Sequence, residues 1–463
     1  MPNPRGAAEG PRNIVLMHGI NYFNAGDHGI SLATFARLRQ LFPEARFTAL
    51  SPFLQAMARE PALIAAVRAG ADALYIPESP DLFQLPIGGR PPIGQLLAGL
   101  TAAIAAILLA LLPRGLRRLV VRPFPPLRAL AEADVVISKG GGFLLDRGTR
   151  YPVPIHFIPI ALATLLAPRV VLYAQTIGPL ERPLSRLVGR WALKHVRLIL
   201  PRDDYSVEYI RKDLGLTDVP MTRTADEAFQ LPEAAALGDP TPAALCDRGE
   251  EVRLGNGNVI VVTLVAPQYG GLSGTAARDR YVTVMASLVD RLLALDGPEG
   301  HQLRVLILPH LESGASSDRA LALAIRGQVR DAARLHILQP MNPIRMVAVM
   351  TGCAAAVTTR MHSLIFTVLA RLPVVPIVYL PKMRSFVDEN RLDETAIEMT
   401  ELLDMPDATI DRITGWIGSM LRDPSPSRRL VEAARERNIV ESARNAASVA
   451  ALFTSDTDRG VRG

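Results

Sequence analysis

An arginine, a histidine and a lysine are spaced along one stretch of this chain as a grip on a small anion requires. In TTRMHSLIFTVLARLPVVPIVYLPKMRSFVDE (Thr358–Glu389), Arg360 and His362 follow the apolar run Ala354–Thr358, and Lys382 follows Val374–Leu380. Both runs read as strands, with Leu364–Leu372 as the helix between them, so the three side chains fall at strand ends of one βαβ unit. In an open parallel sheet, ligands bind outside the carboxyl ends of the strands, and the free N–H groups of a helix N-terminus attract phosphate or carboxylate. Taken alone, Arg-x-His is more often a pair of solvated or turn residues than a ligand site.

Further segments carry chemistry of the same kind. Arg202, in PRDDYS (Pro201–Ser206), follows a strand ending near Leu200, and its planar guanidinium suits carboxylate or phosphate. Gly140, Gly141 and Gly142 come directly after the strand DVVIS (Asp134–Ser138). Glycine there lets backbone N–H groups approach an anion or a sugar closely, and a tight strand-to-helix turn is the plainer alternative. Asp146, just beyond, is a candidate hydrogen-bond acceptor or a general base. Asn24, Gly26 and Asp27 form the loop after the first strand, where Asp27 either orients an acceptor hydroxyl or caps the helix starting near Ile30. Asp226, in TADEAF (Thr224–Phe229), is a carboxylate at the junction of the two halves, with a hinge or cap as its plainer role. GGLSGT (Gly270–Thr275) could form a phosphate nest, though it is an unspecific signal. Neither GxGxxG nor a Walker A lysine occurs, so no nucleotide motif is present.

Taken in order, NYFNAGDHGI, SKGGGFLLD, YAQTIGPL, PRDDYS, TADEAF, RMHSLIF and YLPK resemble the polysaccharide pyruvyl transferase family over roughly positions 13 to 390. The resemblance implies transfer of the enolpyruvyl group of phosphoenolpyruvate to a sugar hydroxyl pair, forming a pyruvate ketal and releasing phosphate. The acceptor would be a cell-surface polysaccharide or its lipid-linked oligosaccharide precursor. It also implies a glycosyltransferase-B-like architecture. Arg202, Arg360 and His362 stand on the family's Arg-Asp and Arg-x-His motifs, and with Lys382 they make the expected donor site. The expected catalytic set is His362, Arg202, Asp146 and Asp27, with Asn24, Gly26, Gly140, Gly141, Gly142 and Asp226 as acceptor or backbone-loop residues. His362 is suited to proton donation because imidazole titrates near neutrality. No metal and no resident cofactor are expected, phosphoenolpyruvate being a co-substrate. Ser363 and Arg371 stand where the family usually carries glycine. Two other readings stay open: a sugar-nucleotide-dependent glycosyltransferase of the same architecture, and a catalytically silent saccharide-binding relative.

The elements that must position these residues alternate along the chain. Candidate strands Asn13–His18, Arg46–Leu50, Ala73–Ile76, Asp134–Ser138, Val170–Ala174 and Leu198–Pro201 are separated by helical stretches such as Ser31–Leu41 and Leu184–His195. A second set, Val259–Val265, Leu303–Pro309, Leu335–Leu338, Ala354–Thr358 and Val374–Leu380, follows a Pro- and Gly-rich break at Leu231–Asn258. Such alternation predicts an α/β fold of two Rossmann-like, doubly wound domains facing a cleft, at 12–235 and 255–400, with a helical tail at 401–463. The tail is expected to pack on the second domain or cross back to the first.

With 463 residues and 49% hydrophobic content, the chain is long enough for two full cores and too apolar for disorder. Its net charge of +6 comes mostly from scattered arginine without aromatic interleaving, which favours anionic ligands and acidic membrane surfaces over nucleic acid. Cys246 and Cys353 form no metal spacing, and free thiols suit a reducing cytoplasm. The uncharged run Ile93–Leu112 is bracketed by Arg90 and by Arg114, Arg117 and Arg118. A span there would place strands of one sheet on opposite sides of a bilayer. That conflict ranks a true span third, behind a helix lying in or dipping into the cytoplasmic leaflet, giving a peripheral enzyme, and a buried core or interface helix, a homo-oligomer being one way to bury it.

Overall fold

The computed structural model describes residues 10–18, 23–51, 81–84, 104, 107–146, 156–232, 243–266, 274–312 and 317–460. Two parallel sheets carry the fold. The first contains β1 (Asn13–Met17), β2 (Arg46–Ser51), β3 (Asp81–Gln84), β4 (Val135–Ser138), β5 (Gly141–Leu144), β6 (Val170–Ile177) and β7 (Leu198–Pro201). Their order is β3-β2-β1-β4-β6-β5, with β7 also paired to β6. The antiparallel hairpin β8 (Ala243–Leu245) and β9 (Glu251–Arg253) comes next. The second sheet contains β10 (Val259–Val262), β11 (Arg304–Ile307), β12 (Leu335–Ile337), β13 (Ala355–Thr358), β14 (Val374–Val378) and β15 (Ile397–Glu398), in the order β12-β11-β10-β13-β14-β15. Strands such as Val135–Ser138, Val259–Val262 and Ala355–Thr358 are buried along their whole length, as helix-covered parallel strands must be.

Strand order decides where a ligand can sit. In the first sheet the chain runs from β1 outward to β3 and then returns to β4 on the other side of β1, leaving a crevice above the carboxyl ends of β1 and β4. The second sheet repeats the pattern with β10 and β13. Loops carrying Asn24 to Asp27, Lys139 to Gly142, and Arg360 to His362 therefore converge on one cleft. Backbone bonds join its two sides: Ala25 N donates to His310 O at 2.9 Å, and Glu312 N donates to Phe23 O at 3.0 Å.

The expected strands hold where they are described. Ala73–Ile76 and most of Gly270–Thr275 lie outside the described residues. Gly141–Leu144 is a short strand against β6 rather than only a strand-to-helix turn. Within the expected linker, the β8–β9 hairpin packs on the second sheet, where Asp247 N donates to Ile337 O at 2.9 Å on edge strand β12. The tail realises both of the alternatives rather than one. Helix Pro406–Arg422 buries Ile410, Ile413 and Ile417 against the second sheet. Helix Ser425–Gly460 places Val431 and Ala434 in the core of the second domain and Val449 in that of the first. Arg371 has φ +55°, a left-handed conformation that glycine adopts most readily, and its side chain pairs with Glu432 at 2.9 Å. Most of Ile93–Leu112 lies outside the described residues. Among those described, no helix is long and apolar enough to cross a membrane.

Candidate active site

A cavity of about 190 Å³ opens between the domains, lined from the first by His18, Asn24, Asp27, Lys139, Gly142, Phe143 and His156. The second contributes His310, Arg360, Met361, His362, Tyr379 and Lys382. Two glycines let its walls meet. A Cβ on Gly26 would overlap the His362 ring arriving from the other domain. One on Gly142 would lie 2.5 Å from Lys382 Nζ and 3.3 Å from Arg202 Nη2. Gly140 fits for a different reason, since a Cβ there would press on the Ala174 carbonyl oxygen at 2.8 Å.

Positive charge collects around Gly142. Arg202 is buried, with Nε donating to Thr176 Oγ1 at 2.8 Å, Nη1 paired to Asp226, and Nη2 lacking a partner. Asp203 does not pair with Arg202. It caps the helix Asp204–Glu208, accepting from Ser206 N at 2.8 Å, and receives the Thr176 hydroxyl. Asp226 both caps Ala228 N, at 2.9 Å, and faces His362 Nε2 at 3.6 Å. Burial alone would raise its pKa, but Arg202 and His362 hold the carboxyl well below the usual range. His362 Nε2 has no hydrogen-bond partner. Lys382 makes no hydrogen bond or ion pair among the described residues. Burial, then Arg202, lower its pKa to about 8 against the pull of Asp27, Asp203 and Asp226. Two cations with unused donors, beside an imidazole nitrogen that makes no hydrogen bond, form a ready anion site.

Arg360 is engaged differently from the expected free clamp. Its Nη2 pairs with buried Asp318 at 2.5 Å and its Nε donates to Leu264 O at 2.9 Å. Asp318 also accepts from His310 N and Leu311 N at 2.9 and 3.0 Å, so the pair ties the Arg-x-His turn to the neighbouring loop. Ser363 Oγ accepts from Arg360 N at 3.1 Å, closing the first turn of helix Met361–Leu369.

Asp27 is not a helix cap. Asn24 takes that role, accepting from Gly26 N at 3.0 Å, which frees the Asp27 carboxylate to face Lys139 Nζ at 3.6 Å. Burial raises the Asp27 pKa, but Lys139, His362, Lys382 and Arg202 together bring it below the ordinary value. Asp146 departs from its expected part as base. It lies off the cavity, and its oxygens accept from Glu181 N at 2.7 Å and Arg182 N at 3.0 Å ahead of helix Pro183–His195.

Several wall residues escaped the sequence reading. Lys139 stands between the strand and the glycines that drew attention. His18 and His156 surround Phe143, with ring centroids 4.9 and 4.8 Å from it. His310 packs on Phe366 at 5.5 Å with both ring nitrogens unpartnered. Burial lowers the pKa of all three, that of His156 to about 4, so these rings are neutral near pH 7. Their signal was positional: His18 and His310 each follow a strand.

Known proteins agree with this architecture. UDP-GlcNAc 2-epimerase from Methanocaldococcus jannaschii superposes with a TM-score of 0.54 at 9% identity, covering 96% of this chain and 99% of that one. UGT89C1 of Arabidopsis thaliana gives 0.53 at 11% identity, covering 96% and 100%. These likenesses place the fold in the glycosyltransferase-B class. The amylovoran biosynthesis protein AmsJ of Erwinia amylovora is 23% identical over 277 residues, 59% of this chain and 64% of that relative. The sequence profile of the polysaccharide pyruvyl transferases matches residues 24–381, from the Asn24 cap to the strand end before Lys382, and the chain belongs to that family.

Proposed function

We propose that this protein moves the enolpyruvyl group of phosphoenolpyruvate onto a hydroxyl pair of a polysaccharide or its lipid-linked precursor, forming a pyruvate ketal. The observation that carries this reading is the convergence of Arg202 Nη2, Lys382 Nζ and His362 Nε2, none of which makes a hydrogen bond among the described residues, beside a glycine that keeps the space open. Phosphoenolpyruvate carries both a phosphate and a carboxylate, the ligands such a group would hold. Asp226 orients Arg202 and His362 together.

In the proposed reaction, His362 gives a proton to the methylene carbon or to the departing phosphate oxygen. Protonation turns the methylene into a methyl and leaves an oxocarbenium-like centre. One sugar hydroxyl attacks that carbon and gives up its proton, the C–O bond to phosphate breaks, and the second hydroxyl closes the ketal with loss of its own proton. Asp27 is the candidate base, held as carboxylate by Lys139. The neutral rings of His18, His156 and His310 can each donate and accept, which suits uncharged hydroxyls better than the donor's anions.

The test is phosphate release from phosphoenolpyruvate in the presence of a saccharide panel, with the ketal methyl group followed by proton NMR. Arg202→Ala and His362→Ala are expected to lower turnover by about 10²- to 10³-fold with the fold intact. Unchanged turnover in both variants would remove the site assignment. Turnover of a sugar nucleotide instead would favour glycosyl transfer.

A further inference from the structure

Eleven of the seventeen exposed large hydrophobic side chains among the described residues fall in two segments, 104–124 and 184–191. The first exposes Leu111 at 78%, Leu119 at 62% and Phe124 at 56%; the second exposes Leu187 at 65% and Trp191 at 37%. Helix Phe157–Leu166 packs against both Arg114–Val121 and Pro183–His195, so the two segments flank one element. A groove of about 550 Å³ lined by Arg118, Thr164 and His195 runs between them.

Charge on these two helices has one sign. No aspartate or glutamate occurs in helices Arg114–Val121 and Pro183–His195, nor between Ile104 and Ala131. Arg118, Arg122, Arg190 and Lys194 form no ion pair among the described residues. Arg117 is spent internally, holding the carbonyls of Leu112, Leu165 and Ala110 at 2.7 to 3.1 Å. Contiguous exposed apolar surface marks an interaction site. Leucine and tryptophan beside unpaired cations is the composition of a helix face that lies in a bilayer interface, where apolar burial and attraction to anionic headgroups add.

We infer that this face of the first domain docks on an anionic lipid bilayer, with the apolar side chains of both helices in the acyl boundary and the cations at headgroup phosphates. The inference stands apart from the proposed chemistry.

Its test is co-sedimentation of the full chain with vesicles of phosphatidylglycerol and phosphatidylcholine, beside vesicles of phosphatidylcholine alone. Binding is expected to the anionic vesicles, to weaken with salt, and to fall about tenfold or more in Leu119→Glu/Leu187→Glu. Val440→Glu, which alters an exposed apolar residue on the tail helix, serves as control and should bind as wild type. A thermal midpoint unchanged in the double variant excludes unfolding as the cause. Absence of vesicle binding in wild type would overturn the inference. So would equal binding by wild type and the double variant. A dimer that the double variant dissociates, without vesicle binding, would assign the face to a second copy of the chain.

Discussion

Gly26 lacks a side chain where the His362 ring crosses from the other domain, so its role is spatial. Gly26→Ala is expected to displace His362 and lower turnover by about 10²-fold or more, with circular dichroism unchanged. Lys382 makes no hydrogen bond or ion pair among the described residues, and burial brings its pKa down to about 8. As pH rises through that value it loses its proton, so the KM for phosphoenolpyruvate is expected to climb above about pH 8. Lys382→Arg keeps its charge and should flatten that rise, which a pH series of initial rates would read. Arg202, Arg360, His362 and Lys382 were legible in the sequence because each follows an apolar strand. That Arg360 is neutralised by Asp318 was not, since 42 positions separate them and only the fold makes them neighbours.

Strand order explains the site better than any one motif. Both sheets reverse direction beside their first strand, and nothing in the alternation of strands and helices discloses that order. β5 was hidden because glycine argues against a strand, yet Gly141 pairs with Gln175 of β6. Asp146 read as chemistry because it is a carboxylate near glycines; its environment of backbone amides made it a loop clamp instead. Glu227, in the 3-10 helix Glu227–Gln230, is wholly buried, and burial raises its pKa to about 8 although Asn445 and Tyr173 donate to it at 2.8 and 2.9 Å. The folded state thus holds a proton that the unfolded chain releases above the ordinary carboxyl value of 4.5. Stability is expected to fall as pH rises from about 4.5 to about 8. Glu227→Gln should shrink the loss of thermal midpoint between these limits.

At the scale of the whole molecule, the cleft depends on contacts that hold two domains and a tail together. Arg223 of the first domain pairs with Asp204, with Glu389 of the second and with Glu441 of the tail helix. Arg223→Ala is expected to lower stability by about 1 kcal/mol in urea melts, the low end being set by partial exposure and salt screening. The two-domain plan was legible from two sets of alternating elements. The path of the tail was not, because amphipathic periodicity tells which face is buried but not against which domain.

Calorimetric titration of phosphoenolpyruvate into wild type and Lys382→Ala tests the central claim most directly. Saturable binding in wild type, weakened about 10- to 100-fold in Lys382→Ala, is the predicted result. Equal binding by the two proteins, or none by wild type, would contradict a donor site at Arg202, His362 and Lys382.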